Sequence, residues 1–171
     1  FQLQRSKKER AENTMIVDLV RNDMSRIATK GSVEVKELCK VYPFVHVHQM
    51  ISTVVAELQA ETPVTDAIAA CFPMGSMTGA PKVRAMQLIE QYEETKRGLY
   101  SGAVGYIDPN GDFDFNVVIR SLIYRKDIEY LSLQVGSALT ANSNPENEYD
   151  ECLLKAKGVL DVLSQKMTIN L

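Results

Sequence analysis

Arg97-Gly-Leu-Tyr-Ser-Gly-Ala-Val-Gly-Tyr-Ile-Asp-Pro-Asn-Gly-Asp-Phe-Asp-Phe-Asn-Val-Val-Ile-Arg-Ser-Leu-Ile-Tyr-Arg125 is the stretch that decides the fold class. Its centre, Asp108 to Asp112, carries the Pro, Asn and Gly of a tight turn. The run 97–107 reads as a strand interrupted by Gly, where backbone must approach a neighbour closely. Phe113–Arg125 reads as the returning strand. A further strand is predicted over 128–135, and a helix from Pro145 to Ser164 closes the chain.

Towards the N-terminus the signals change period. Residues 6–28 read as a helix, with Ser6 as N-cap and Glu9 three residues on in capping-box spacing. Residues 33–57 are rich in β-branched side chains and read as strand. Thr62-Pro63 opens a short helix ending near Cys71. A small-residue loop, Phe72 to Lys82, leads into a helix over 81–93. Hairpins followed by helices, without a βαβ rhythm, point to an α+β fold with a largely antiparallel sheet and packed helices. One domain over 1–171 is the expectation.

Composition narrows the function. Of the 171 residues 45% are hydrophobic and 24% charged, and the net charge is −3. No basic tract occurs, which argues against nucleic acid as a partner. No apolar run approaches the roughly 20 residues that cross a bilayer, so no membrane partner is expected. Cys39, Cys71 and Cys152 are scattered and form no CxxC pair. A reduced, cytoplasmic setting is expected. The chain starts Phe1-Gln2-Leu3 without Met, so either residues are missing upstream or the ends were trimmed.

Glu9 and Glu12 stand at i, i+3 on the helical face that continues through Ile16, Leu19 and Val20. The last helix repeats the arrangement: Glu148 and Glu151 share a face with Cys152, Lys155, Val159 and Val162. The acids lie along the apolar stripes. Two readings are open: solvated acids favoured by the helix start, or carboxylates that need a cation because burial is costly. Hard oxygen donors of this kind suit Mg²⁺.

Gly75-Ser-Met-Thr-Gly-Ala-Pro-Lys82 precedes a helix, whose free N–H groups suit an anion. It is not a nucleotide P-loop, because Gly-Lys-Ser/Thr is missing and Pro81 removes a donor; a plain tight loop is the rival reading. Arg120 falls within an apolar run, Asn116 to Ile123, and a buried Arg needs a carboxylate, from a ligand or from a structural salt bridge. The Tyr100 hydroxyl could be a further donor, or its ring could simply pack. Gly136-Ser-Ala138 either presents backbone N–H groups or turns the chain. His46 and His48, two residues apart in a predicted strand, would share one face.

Five segments together resemble the chorismate-binding enzymes: anthranilate, aminodeoxychorismate, isochorismate and salicylate synthases. They are Lys8–Asp23, Gly75–Met86, Arg97–Tyr106, Phe115–Arg120 and Pro145–Lys155, in family order and over nearly the whole chain. The resemblance implies that Glu12 and Glu151 ligate Mg²⁺. It makes Glu9 and Glu148 outer acids that hold metal-bound water or transfer protons, with Lys155 near the metal end. It places Thr78 beside the ring carboxylate of chorismate. It gives the enolpyruvyl carboxylate to Tyr100, Arg120 and the backbone at Gly136, Ser137 and Ala138.

The sequence departs from the family pattern in three places. The family's acid/base His falls on Gln49, and His48, one residue away, should point to the opposite face. Gly136-Ser-Ala lacks a usual second Gly. The Pro-Ile-x-Gly-Thr segment is absent; in aminodeoxychorismate synthases its Lys attacks C2 covalently. Glu12-Asn13 and the Val47–Val54 segment resemble the aminodeoxychorismate synthase branch, since anthranilate synthases usually show Glu-His. Either activity implies ammonia from a glutamine amidotransferase partner. Isochorismate and salicylate synthases, which use water, rank after both. A fragment that binds without turnover is the non-enzymatic alternative.

Overall fold

The computed structural model describes residues 2–45 and 47–167. Two compact units form, Phe1–Thr95 and Lys96–Leu171. The architecture is α+β, and every strand pairing among the described residues is antiparallel.

The first unit is built round α2, Lys7–Ser25, which follows a short α1, Gln2–Arg5. Ser6 caps α2, its side chain accepting from the Glu9 N–H at 3.3 Å. The Ser6 N–H goes to Leu3 O at 3.2 Å, so α1 takes the donor that a full capping box would give to the Glu9 carboxylate. α2 lies against the hairpin of β1, Glu34–Pro43, and β2, His48–Val55, and against α3, Val64–Cys71. A 3-10 turn, Gly75–Met77, and α4, Lys82–Tyr92, complete the unit. Beyond α2 and β2 the chain continues to pair, with an Ala28–Leu58 bridge and Thr29 N–H on Glu57 O at 2.8 Å. Val17, Ala28, Cys39, Ala67 and Ala70 are its buried apolar residues among those described.

β1 is bulged. The register slips between Val35 and Glu37 and again between Glu37 and Lys40. Cys39 stands in the second slip at φ +53°, with 2% exposed. A non-Gly residue there costs about 1–2 kcal/mol, and the surroundings hold it: its N–H donates to Ser52 Oγ at 2.8 Å and its thiol to Asn13 Oδ1 at 3.4 Å.

The second unit holds two hairpins, β3 (Ala103–Ile107) with β4 (Phe113–Val117), and β5 (Leu122–Arg125) with β6 (Tyr130–Leu133), followed by α5, Pro145–Met167. The turn at 108–112 forms as expected: Asp108 Oδ1 accepts from the N–H groups of Asn110 and Asp112, and Gly111 takes φ +91°. Gly105 explains the interrupted strand. It pairs with Phe115, and a Cβ there would lie 2.0 Å from Asp114 O. The pairing puts Gly105, Ile107, Phe113 and Phe115 on one face of the β3–β4 ladder, and the three large side chains remain exposed. Ala156 is the sole buried apolar residue of this unit among those described.

The expected strand over 113–125 needs correction. It is two strands, because the β3–β4 ladder ends after Val118, whose N–H donates to Gly102 O at 2.9 Å, and Arg120 turns left-handed at φ +54°. The expected strand over 97–107 likewise begins only at Ala103, after a turn.

Candidate substrate and metal-ligand residues

In α2 the stripe carrying Glu9 and Glu12 is half-buried and continues through Asn13, Ile16, Val17 and Val20. The Oε1 atom of Glu12 is shielded from solvent, 3.8 Å from Lys8 Nζ. Asn13, next to it, is fixed from the strand side: Ser52 Oγ donates a short hydrogen bond to its Oδ1. Thr53 and Val54 join Asn13, Ile16, Val17, Val20 and Ser52 in lining a groove of about 350 Å³ between α2 and β2. His48 opens β2 opposite Pro43, and Gln49 stands opposite Tyr42, so the two alternate as the strand requires. His46 lies outside the described residues.

Thr78 caps the 3-10 turn, and its hydroxyl donates back to Met74 O at 3.1 Å. Gly75 packs closely on α2: a Cβ there would meet Leu19 Cδ2 at 2.8 Å. Lys82, the first residue of α4, donates to Pro73 O at 2.8 Å and pairs with Asp23 at 2.5 Å. The Cys71 thiol is pushed up by burial and then by the Asp23 charge, and drawn down by Lys82.

In the second unit, Tyr100 occupies the turn before β3. Its ring faces the Arg97 guanidinium, 5.9 Å from the centroid, and Arg97 Nη1 donates to Ser101 Oγ at 3.0 Å. Ser101 is buried at φ +68°, and its N–H donates to Val118 O at 3.0 Å. The Tyr100 turn is thus laced to the segment that carries Arg120. Arg120 itself is exposed and outside any strand, which corrects the expectation of a buried strand Arg. Its side chain is available to an external carboxylate, and the left-handed backbone at Ser101 and Arg120 is of the strained kind that recurs at ligand sites.

The Tyr100 hydroxyl reaches the chain at Gly136, where an added Cβ would stand 2.7 Å from Oη. Ser137 donates a short hydrogen bond to Glu148 Oε2, and Glu148 is 4% exposed. Lys155 Nζ donates to Gly136 O at 2.9 Å and pairs with Glu151 Oε1 at 2.6 Å. Asn144 starts α5, its Oδ1 accepting from the Asn147 N–H at 3.1 Å. The inner stripe of α5 runs Glu148, Glu151, Cys152, Lys155, Ala156, Val159, with Glu148 and Ala156 buried and the others partly exposed, Glu151 more so than Lys155; Val162, expected on it, is exposed. Tyr100, Gly136, Ser137, Glu148, Glu151 and Lys155 therefore form one polar assembly, and Ala138 follows it in an exposed loop.

The donor chemistry suits a hard cation: each carboxylate helix offers two acids, Glu9 and Glu12 on α2, Glu148 and Glu151 on α5. Among the described residues no group of three or more His, Cys, Asp or Glu side chains gathers at metal-ligating distance. No helix among them is long and apolar enough to cross a membrane.

The sequence reading missed Asp23 and Lys82 as a pair, and Ser52 and Cys39 as partners of Asn13. For the first there was a signal. An acid in the last turn of a helix and a Lys at the start of another both oppose the helix dipole.

Residues 1–161 match the family of chorismate binding enzymes. Anthranilate synthase component 1 of Mycobacterium bovis is 44% identical over 162 residues, which cover 95% of this chain and 31% of that protein. The chloroplastic aminodeoxychorismate synthase of Arabidopsis thaliana is 44% identical over 157 residues, covering 92% of this chain and 17% of that protein. The crystal structure of anthranilate synthase component I from Streptococcus pneumoniae superposes with a TM-score of 0.81 at 40% identity, covering 89% of this chain and 34% of that one. The chain thus spans about a third, or less, of the length of these relatives, and it belongs to the chorismate-binding enzyme family.

Proposed function

We propose that the chain is the C-terminal part of the catalytic region of an aminodeoxychorismate synthase component I. In this reading it converts chorismate to 4-amino-4-deoxychorismate in the cytoplasm, with ammonia from a glutamine amidotransferase partner. The observation that carries the reading is the polar assembly round Gly136: the Tyr100 hydroxyl, the Ser137–Glu148 hydrogen bond and the Lys155 ammonium on one short stretch of chain. Chorismate is a dianion with a hydroxyl to lose, and it needs donors at one carboxylate, a cation at the other and an acid between.

The roles follow from chemistry and from the family pattern. Tyr100, Arg120 and the backbone of Gly136, Ser137 and Ala138 hold the enolpyruvyl carboxylate. Thr78 stands beside the ring carboxylate. Glu9 and Glu148 hold and move the proton at the departing C4 hydroxyl. Lys155 orients both the Gly136 carbonyl and Glu151. Glu12 and Glu151 hold Mg²⁺. The bound ion supplies charge neutralisation and polarisation at the ring carboxylate.

Asn13 favours the aminodeoxychorismate branch over the Glu-His pattern, and its carboxamide is committed to Ser52 and Cys39. The second reading is anthranilate synthase component I. It is favoured by the mycobacterial relative, which is as similar, at 44%, as the plant aminodeoxychorismate synthase. One experiment separates the readings: the intact protein is given chorismate, Mg²⁺ and an ammonium salt, and the product is identified by chromatography. Aminodeoxychorismate supports the proposal, anthranilate replaces it with the second reading, and isochorismate or salicylate overturns both. No turnover leaves a binding fragment and also overturns it.

A further inference from the structure

Asp23 and Lys82 are charges set where their own helices disfavour them. Asp23 is in the last turn of α2, at the negative end of the dipole, and Lys82 is the first residue of α4, at the positive end. Their side chains are 7% and 16% exposed, so each is largely removed from water, and they meet at 2.5 Å. A buried ion pair of this kind adds little net stability compared with apolar packing. Helix stability therefore does not account for the pair.

The same ammonium donates to Pro73 O at 2.8 Å. One nitrogen thus joins the end of α2 to both ends of the 73–82 loop. The loop meets α2 again at Gly75, where an added Cβ would stand 2.8 Å from Leu19 Cδ2 and push that side chain aside. Thr78 sits between these anchors, with its hydroxyl turned back on Met74 O and Gly75 O. We propose that Asp23 and Lys82 are positioning residues that hold the 73–82 loop, and with it Thr78, in register for the substrate. The inference rests on the reading of Thr78 as a substrate contact.

The test uses the intact protein with chorismate as the varied substrate. Removing one partner strands a buried charge, so Asp23→Asn and Lys82→Met are combined. Lys82→Arg is the conservative variant: it keeps the charge but replaces a compact ammonium by a longer planar fork with fixed N–H directions, which does not fit the same two acceptors. Folded protein is expected in both cases, with KM for chorismate raised about tenfold and kcat changed far less, as a loop misplaced by a fraction of an ångström requires. Thr78→Val is expected to raise KM similarly, and adding it to the double variant should cost less than the product of the two effects, because both act through one contact.

A merely structural pair would lower the melting temperature, leave KM alone and show no such coupling. Wild-type KM in the double variant, or in Lys82→Arg should the double variant not fold, overturns the inference while a raised KM in Thr78→Val preserves the reading beneath it. If Thr78→Val itself leaves KM unchanged, the reading of Thr78 fails and the inference falls with it.

Discussion

Gly136→Ala tests whether the Gly136 assembly is a site or only a turn. An alanine Cβ would stand 2.7 Å from Tyr100 Oη, about 0.7 Å inside the ordinary contact of 3.4 Å. The Tyr100 hydroxyl is the end of a rigid ring, and Ser101 behind it is buried and bonded to Val118, so the turn has little room to yield. The hydroxyl or the Gly136 backbone must move by about half an ångström, which is the placement tolerance of a binding constellation. The expected loss in kcat/KM is roughly 10- to 100-fold, or about 1.4–2.7 kcal/mol of transition-state stabilisation. It should appear chiefly in KM, because the contact is to a carboxylate that does not react. Stability should fall only modestly, because Gly136 is not left-handed and the strain is confined to the contact with Tyr100 Oη. The assay is steady-state turnover of chorismate by the intact protein beside thermal unfolding of the same preparation. A variant with wild-type kcat and KM would show that the Tyr100–Gly136 approach is packing alone, and a loss of activity matched by a large fall in melting temperature would point to a fold defect.

The remaining predictions concern separate groups. Arg120→Gly relieves a left-handed backbone at φ +54°, so the melting temperature should hold or rise while KM for chorismate increases about tenfold or more, the loss of one charge-assisted hydrogen bond; unchanged KM removes Arg120 from the carboxylate clamp. Glu151→Gln should abolish Mg²⁺-dependent turnover and weaken Mg²⁺ binding in calorimetry, and normal affinity for the ion would strike Glu151 from the ligands. Glu37 is held down at about 2 by hydrogen bonds from Lys40, Tyr42 and Thr53. Because its folded value is depressed, what it contributes to stability is present above its ordinary value of 4.5 and fades as the pH falls towards 2. A carboxyl NMR titration should therefore show a midpoint near 2 that climbs towards the ordinary range in Lys40→Met, and a midpoint near 4.5 in the unsubstituted protein would refute the assignment.

What could be foreseen from the sequence, and what could not, divides by the range of the forces involved. Ser6 caps α2, the turn at 108–112 joins β3 to β4, and Gly105 is a close approach, because each rests on residues within a few positions or on a strand reached by one tight turn. Arg120 misled for the same reason. Asn116 to Ile123 is an unbroken β-rich run by composition, and only the left-handed turn at Arg120, which no local residue type demands, ends one ladder and begins the next. Cys39 is the same failure in β1: a left-handed position is usually advertised by Gly or Asn, and here it is set by a hydroxyl 13 residues away. The polar contacts that organise the candidate site are longer still, 59 residues between Asp23 and Lys82 and 39 between Asn13 and Ser52. Yet the first pair announces itself through the sign of its charges. A charge at the unfavourable end of a helix is a local violation that has to be answered elsewhere, and in this chain two such violations answer each other at the base of the Thr78 loop.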